Sequence, residues 1–263
     1  MALNPAHSVL VARRDLLLAL AGREIRVKYK QSVMGMLWAV LMPTVIVCAG
    51  VALRAAFAKI SGTHLDVADV ASVGVRAVAW AFFVSSVRFS TNSLIANTTL
   101  VTKVYLPREL FPIASIVSQL ADFGVAVLVL ALLLAGLHIG VSAELAWVPV
   151  LLVILILFTT GLGILLSAAS LFFRDVKYLV EVFLTFAIFF TPVFYDARMF
   201  GRWENVLMLN PVAPVLEGLS RTVVYHRSPD LSWLSYSACA AVLTTVVALW
   251  VFRRLEPYFA ESV

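Results

Sequence analysis

REIRVKYKQSVMGMLWAVLMP, residues 23–43, is the stretch that decides the fold. A basic segment runs directly into a long apolar one with no linker between them. Arg13, Arg14, Arg23, Arg26, Lys28 and Lys30 precede the apolar run, and only Asp15 and Glu24 oppose them. A positive segment joined to a helix long enough to cross a bilayer keeps the amino end in the cytoplasm.

Working outward, the rest of the chain repeats the apolar theme. Of its 263 residues 62% are hydrophobic and only 13% are charged, and the mean hydropathy is +0.98. A soluble domain carries about 25% charged residues. This composition is that of an integral membrane protein. Hydropathy predicts about six spans of about 20 residues, over 34–57, 70–89, 112–136, 146–170, 178–195 and 234–252. The expected organisation is one membrane domain over 1–263. It comprises a cytoplasmic interfacial helix at 1–33, a six-span core at 34–252 and a cytoplasmic tail at 253–263. The first apolar run lies about thirty residues in and is too long for the core of a cleavable signal peptide, so none is expected.

Loop charge gives a second test of orientation. With the amino end inside, the inner segments hold Arg13, Arg14, Arg23, Arg26, Lys28, Lys30, Arg88, Lys103, Arg108, Arg174, Lys177, Arg253 and Arg254. The outer side holds only Arg54, Lys59, Arg76, Arg198, Arg202, Arg221 and Arg227. The bias predicts both termini in the cytoplasm. A net charge of +5 then reads as basic loops facing anionic lipid, not as a nucleic-acid surface.

The segment before the first span reads as a helix at the cytoplasmic membrane surface. Val11, Leu18, Ile25 and Tyr29 share one stripe, and Arg23, Arg26 and Lys30 share a neighbouring one. The segment 196–233 differs from the other connections. Its apolar pieces are broken by Pro211 and Pro214, so it is either an outer loop with short helices or a re-entrant hairpin. The latter needs protein or a wet path around it.

Catalytic signatures are absent. There is no phosphate-binding loop of the G-x-x-x-x-G-K-S/T type, and Gly161 and Gly163 lie inside an apolar helix without a dinucleotide fingerprint. Cys48 and Cys239 fall in apolar runs, and His7, His64, His138 and His226 are scattered at ends and loops. Neither a disulfide framework nor a metal site is expected. The polar residues inside spans are few. Ser115, Ser118, Gln119 and Asp122 form a stripe on the third span, read as a hydrogen-bonded helix contact or a wet path. Glu181 is expected to pair with Arg174 or Lys177. Arg76, inside the second span, is expected to snorkel outward or to mark a later start of that span. Aromatics recur at Phe183, Phe186, Phe190 and Phe194, followed by Tyr195, and again at Trp80, Phe82, Phe83 and Phe89. Such stripes serve packing or lipid contact, or they offer flat faces for a sliding sugar chain.

Four pieces in order resemble the membrane subunit of type-2 ATP-binding-cassette (ABC) exporters, closest to permeases for O-antigen and related polysaccharides. They are residues 23–43 above, NTTLVTKVYLPRELFP at 97–112, SLFFRDVKYLVEVFL at 170–184 leading to FFTPVFY at 189–195, and LNPVAPVLEG at 209–218. The resemblance implies an all-α integral membrane fold. It would have six transmembrane helices, an amino-terminal interfacial amphipathic helix and short re-entrant gate helices between spans 5 and 6. It implies a bacterial inner-membrane homodimer that binds no cofactor. ATP and magnesium would be held by two separate ATPase subunits, and a lipid-pyrophosphate-linked glycan would be moved outward through membrane lipid. Arg23, Arg26, Lys28 and Lys30 would meet the anionic head group at the entrance. Trp38, Phe82, Phe83, Phe183, Phe186, Phe190, Phe194 and Tyr195 would line the channel. Asn97, Thr98, Thr99, Leu100, Lys103, Val104, Tyr105, Arg108 and Glu109 would couple to the ATPase. The alternatives are a type-2 permease for teichoic acid, lipid or drug, or an integral-membrane enzyme acting on lipid-linked sugars.

Overall fold

The computed structural model describes residues 5–30, 37–61, 66–103 and 106–260, and within these every regular element is helical. Helix α1 is Pro5–Tyr29 and α2 is Leu37–Ser61. Helix α3 is Val67–Ala96, followed at once by the short α4, Thr98–Lys103. Helix α5 is Leu110–Gly136. A 3-10 turn, Ala143–Trp147, leads into α6, Val148–Phe172. Helix α7 is Val176–Ala187, and two short helices follow, α8 at Glu204–Met208 and α9 at Ala213–Val223. Helix α10, Leu231–Leu255, ends in a 3-10 turn, Glu256–Ala260. Among the described residues, four helical stretches are long and apolar enough to cross a membrane: Val67–Ala96, Leu110–Gly136, Ala143–Phe172 and Leu231–Phe259. Within α2 an apolar stretch runs over Thr44–Ala56. The fold is an all-helical integral membrane protein.

Local chemistry sets the ends. Asp66 caps α3 in a reciprocal box with Asp69, meeting two otherwise orphan N–H groups. Asp230 caps α10 by accepting from the Ser232 N–H at 3.0 Å. Helix α5 ends at Gly136. Two residues on, the φ of 58° at His138 lets the Ile139 N–H reach back to the Leu134 carbonyl at 3.1 Å. His226 holds the same left-handed conformation after α9, so two of the scattered histidines are turn residues.

The fifth apolar run departs most from expectation. Its helix stops at Ala187 after 12 residues, about 18 Å, where 178–195 was expected to span. Beyond it the backbone tightens to shorter bonds, Phe189 N–H to the Phe186 carbonyl at 3.0 Å and Phe190 N–H to the Ala187 carbonyl at 3.1 Å. Pro192, which offers no N–H, keeps the helix from resuming. The chain turns repeatedly through 188–195.

Helix α3 is the axis. Helices α2, α5, α6 and α9 pack around it, and α10 lies along α6. Small residues set the closest approaches. A Cβ on Gly161 would sit 2.7 Å from the Thr245 backbone nitrogen of α10, and one on Gly163 would sit 2.4 Å from Ser90 Oγ of α3. These two glycines therefore seat opposite faces of α6. Helix α9 is buried almost all round, from Ala213 through Ser220.

Candidate functional site

Helix α1 is held to α5 by polar groups. Glu24, Lys28 and Tyr29 lie within about one and a half turns on α1, and Ser115, Ser118, Gln119 and Asp122 lie on one face of α5. The Ser115 hydroxyl donates to Glu24 at 2.9 Å and Ser118 donates at 3.3 Å. Lys28 donates to Gln119 Oε1 at 3.2 Å and pairs with Asp122, which also accepts from the Tyr29 hydroxyl. The in-span polar stripe is therefore a docking strip for α1. Burial pushes the Glu24 carboxyl above the ordinary carboxylate value, and the two serine hydroxyls partly offset it. The Tyr29 hydroxyl is raised by burial and by the Asp122 carboxylate it bonds.

Beside this seam lies a cavity of about 500 Å³ bounded by α1, α2, α3, α5 and α7. Lys28, Arg88, Gln119 and Asp122 form its polar end. Trp38, Trp80, Phe82 and Phe123 form its aromatic wall. Lys28 Nζ sits 5.0 Å from the Phe89 ring centroid, a cation held over an aromatic face. Phe82 and Phe123 lie 4.9 Å apart. The arrangement suits an amphiphile with a charged or hydroxyl-rich end and a flat apolar body.

The expected site residues fall into separate groups. Of the basic set, Arg23, Arg26 and Lys30 are exposed. Lys28 is not free, because Asp122 already neutralises it. Arg23 donates to Asn97 Oδ1 at 3.2 Å, and Arg26 to the Gly22 carbonyl at 3.2 Å. Of the aromatic set, Trp38 and Phe82 line the cavity, whereas Phe83 packs in the core, stacked 6.3 Å from Phe158 of α6. Phe183, Phe186 and Phe190 are exposed on α7 and the turn after it. Phe194 wedges against Gly50 of α2. Tyr195 donates to the Phe189 carbonyl at 2.8 Å and packs on Phe200.

The expected coupling segment begins as a short helix. Asn97 ends α3, and α4 carries Thr98, Thr99, Leu100 and the backbone of Lys103. Val104 and Tyr105 lie outside the described residues. Val101 is buried in an apolar cluster with Leu94, Phe111, Phe252 and Phe259, which Leu100 also joins. Arg108 donates to the Glu256 carbonyl at 2.5 Å and lies over the Phe259 ring. Glu109 sits 3.9 Å from Arg253. A cleft of about 840 Å³ opens here, lined by Arg13, Thr102, Arg108, Glu109, Arg253 and Glu256. The carboxyl-terminal turn thus braces the segment, a role that no local pattern in residues 253–260 announced.

Two pairing expectations are corrected. Glu181 pairs with Arg88 of α3 at 2.8 Å, not with Arg174 or Lys177, because α7 packs along α3. Arg76 does not snorkel: it is 0% exposed. Its guanidinium donates to the Tyr195 carbonyl at 2.7 Å, pairs with Asp196 and lies 3.0 Å from Glu217 of α9. Arg54 of α2 joins through Asp196 at 3.0 Å and Asp69. A charged residue inside an apolar run was the only available signal; its partners are more than a hundred positions away.

Residues 15–224 match the family model described as ABC-2 type transporter. Among curated proteins, the chain is 25% identical over 251 residues to an O-antigen export system permease protein RfbA of Klebsiella pneumoniae, covering 94% of each. It is 28% identical over 256 residues to the O-antigen export system permease protein RfbA of Myxococcus xanthus, covering 95% of this chain and 96% of the other.

Proposed function

Because the chain belongs to the ABC-2 type transporter family, we propose that it is the membrane subunit of an ATP-driven exporter for a lipid-linked, O-antigen-like polysaccharide. The observation that carries the substrate class is the cavity between α1 and α7. It combines an aromatic wall of Trp38, Trp80, Phe82 and Phe123 with a polar end at Lys28, Arg88, Gln119 and Asp122. Aromatic faces hold a pyranose without demanding one hydrogen-bond geometry, so successive sugars slide. The likeness to permeases named for O-antigen export supports the same reading.

In this reading the chain is a homodimer with both termini in the cytoplasm and six crossings per copy. Helix α7 and the turns after it make the fifth crossing. Helices α8 and α9 are the gate, and burial of α9 in protein supports a re-entrant placement. Two ATPase copies, holding ATP and magnesium, dock at α4 and the adjoining cleft. Their closure moves α4, and Val101 transmits that motion to the cluster it shares with α10. Arg23, Arg26 and Lys30 face the pyrophosphate head, while Lys28 positions α1. Charge-assisted bonds from arginine to phosphate oxygens are the physical warrant.

The test is export from cells or proteoliposomes containing the permease and its ATPase. Replacing Arg26 and Lys30 with Gln leaves the α1–α5 contacts intact and is expected to cut export several-fold without loss of ATPase co-purification. Export at the parental rate would show that these cations do not meet the head group.

A further inference from the structure

The charged cluster around Arg76 has no place in the entrance or the coupling segment. It lies about 13 Å from the start of α3, nine residues in, within a helix long and apolar enough to cross a membrane. Charges there are costly and mark function by default. Its members come from every element that would close the outer end: Arg54 of α2, Asp69 and Arg76 of α3, Asp196 after the α7 break, and Glu217 of α9. Three carboxylates meet two guanidiniums, so the pairing is unequal. Arg76 is firmly bonded to the 195–196 segment through a carbonyl and a carboxylate. Toward α9 it has only the ion pair at 3.0 Å, and Glu217 Oε2 has no hydrogen-bond partner among the described residues.

We propose that this cluster is a latch for the outer gate, with Arg76 its fixed half and Glu217 its releasable half. The proposal rests on the exporter reading for its purpose. The weak link is the contact to α9, because Asp196 keeps Arg76 paired when Glu217 withdraws, while Asp69 remains to pair Arg54. Helix α9 therefore separates from α3 without stranding a buried cation, and the same contact holds it shut at rest. Arg76, Asp196 and Glu217 are positioning residues that set the gate and touch no substrate in this role.

The test uses the full chain with its ATPase, Cys48 and Cys239 replaced by Ser because both are exposed, and Ser220→Cys as reporter. Ser220 is buried on α9, one turn from Glu217. Glu217→Gln should raise the labelling rate of the Ser220 reporter by a membrane-impermeant thiol reagent several-fold without ATP. It should also raise the leak of a small hydrophilic dye through proteoliposomes. Arg54 pairs with Asp69 and Asp196 rather than with Glu217, so Arg54→Gln should leave the labelling near the parental rate. If Glu217→Gln fails to assemble, Glu217→Asp takes its place with the same expectation. Parental labelling in the assembled Glu217 variant overturns the latch, as does equal labelling in the Arg54 variant. Absence of ATP-dependent glycan flux in the parent overturns the exporter reading instead, and the labelling comparison stands apart from it.

Discussion

Asp122 and Glu24 are carboxylates on the same seam, yet their replacement is expected to have different effects. Asp122 neutralises half-buried Lys28 and accepts from Tyr29. Asp122→Asn should leave that cation uncompensated and weaken α1 docking by about 2 kcal/mol, the usual scale for a hydrogen bond to a charged group. Glu24 is raised chiefly by burial, which the Ser115 and Ser118 hydroxyls and the Arg23 and Lys28 charges only partly offset, so its ionised form opposes docking. Because its folded value lies above the unfolded one, docking strengthens as pH falls through that interval and weakens as pH rises through it. Glu24→Gln should cost less than Asp122→Asn and abolish this dependence. A spin label at exposed Val27 reads both effects as mobility of α1.

Among the elements, the α6–α10 pair is the most sterically exacting. Gly161→Ala places a methyl on the backbone of α10, where no side chain can yield. The expected loss is about 1–3 kcal/mol, as for other overpacked cores. Gly22→Ala is the converse, since nothing lies within 4 Å of the added carbon. It should stabilise α1 by about 0.5–1 kcal/mol through backbone entropy alone. Thermal unfolding in detergent separates the two. Helix extents were legible in the sequence because apolar runs announce themselves: expected spans at 112–136 and 146–170 became Leu110–Gly136 and Val148–Phe172. The fifth run is longer in hydropathy than in helix, because apolar residues continue through FFTPVFY after the helix has loosened at 188 and Pro192 bars its return. The Arg76 partners were invisible for another reason. Asp196 lies 120 positions from Arg76, and no periodicity encodes a contact made only when α9 folds back against α3. Lys28 looks like its basic neighbours in sequence, and only the packing of α1 along α5 sets it against Asp122.

At the scale of the whole molecule, apolar surface is unevenly covered. Helix α7 exposes Tyr178, Leu179, Val182, Phe183 and Phe186 on one side and lends Leu184 and Thr185 to the cavity on another. Helix α5 exposes Val127, Leu128, Leu132 and Leu133. If two copies share a translocation path beside the cavity, α7 faces the second copy and the α5 strip faces lipid. In a background lacking the native cysteines, Phe186→Cys should cross-link between copies under mild oxidation and Leu132→Cys should not. The reverse pattern would place the second copy on α5.

The hydrogen bond from Arg23 to Asn97 has a mechanical consequence. Asn97 is the residue immediately before α4, and Arg23 belongs to the helix docked along α5. Helix α1 and the start of α4 are therefore joined directly by a side-chain hydrogen bond. In the proposed exporter, a shift of α4 would be felt at α1 through this bond, tying the motion of the docking segment to the basic helix beside it.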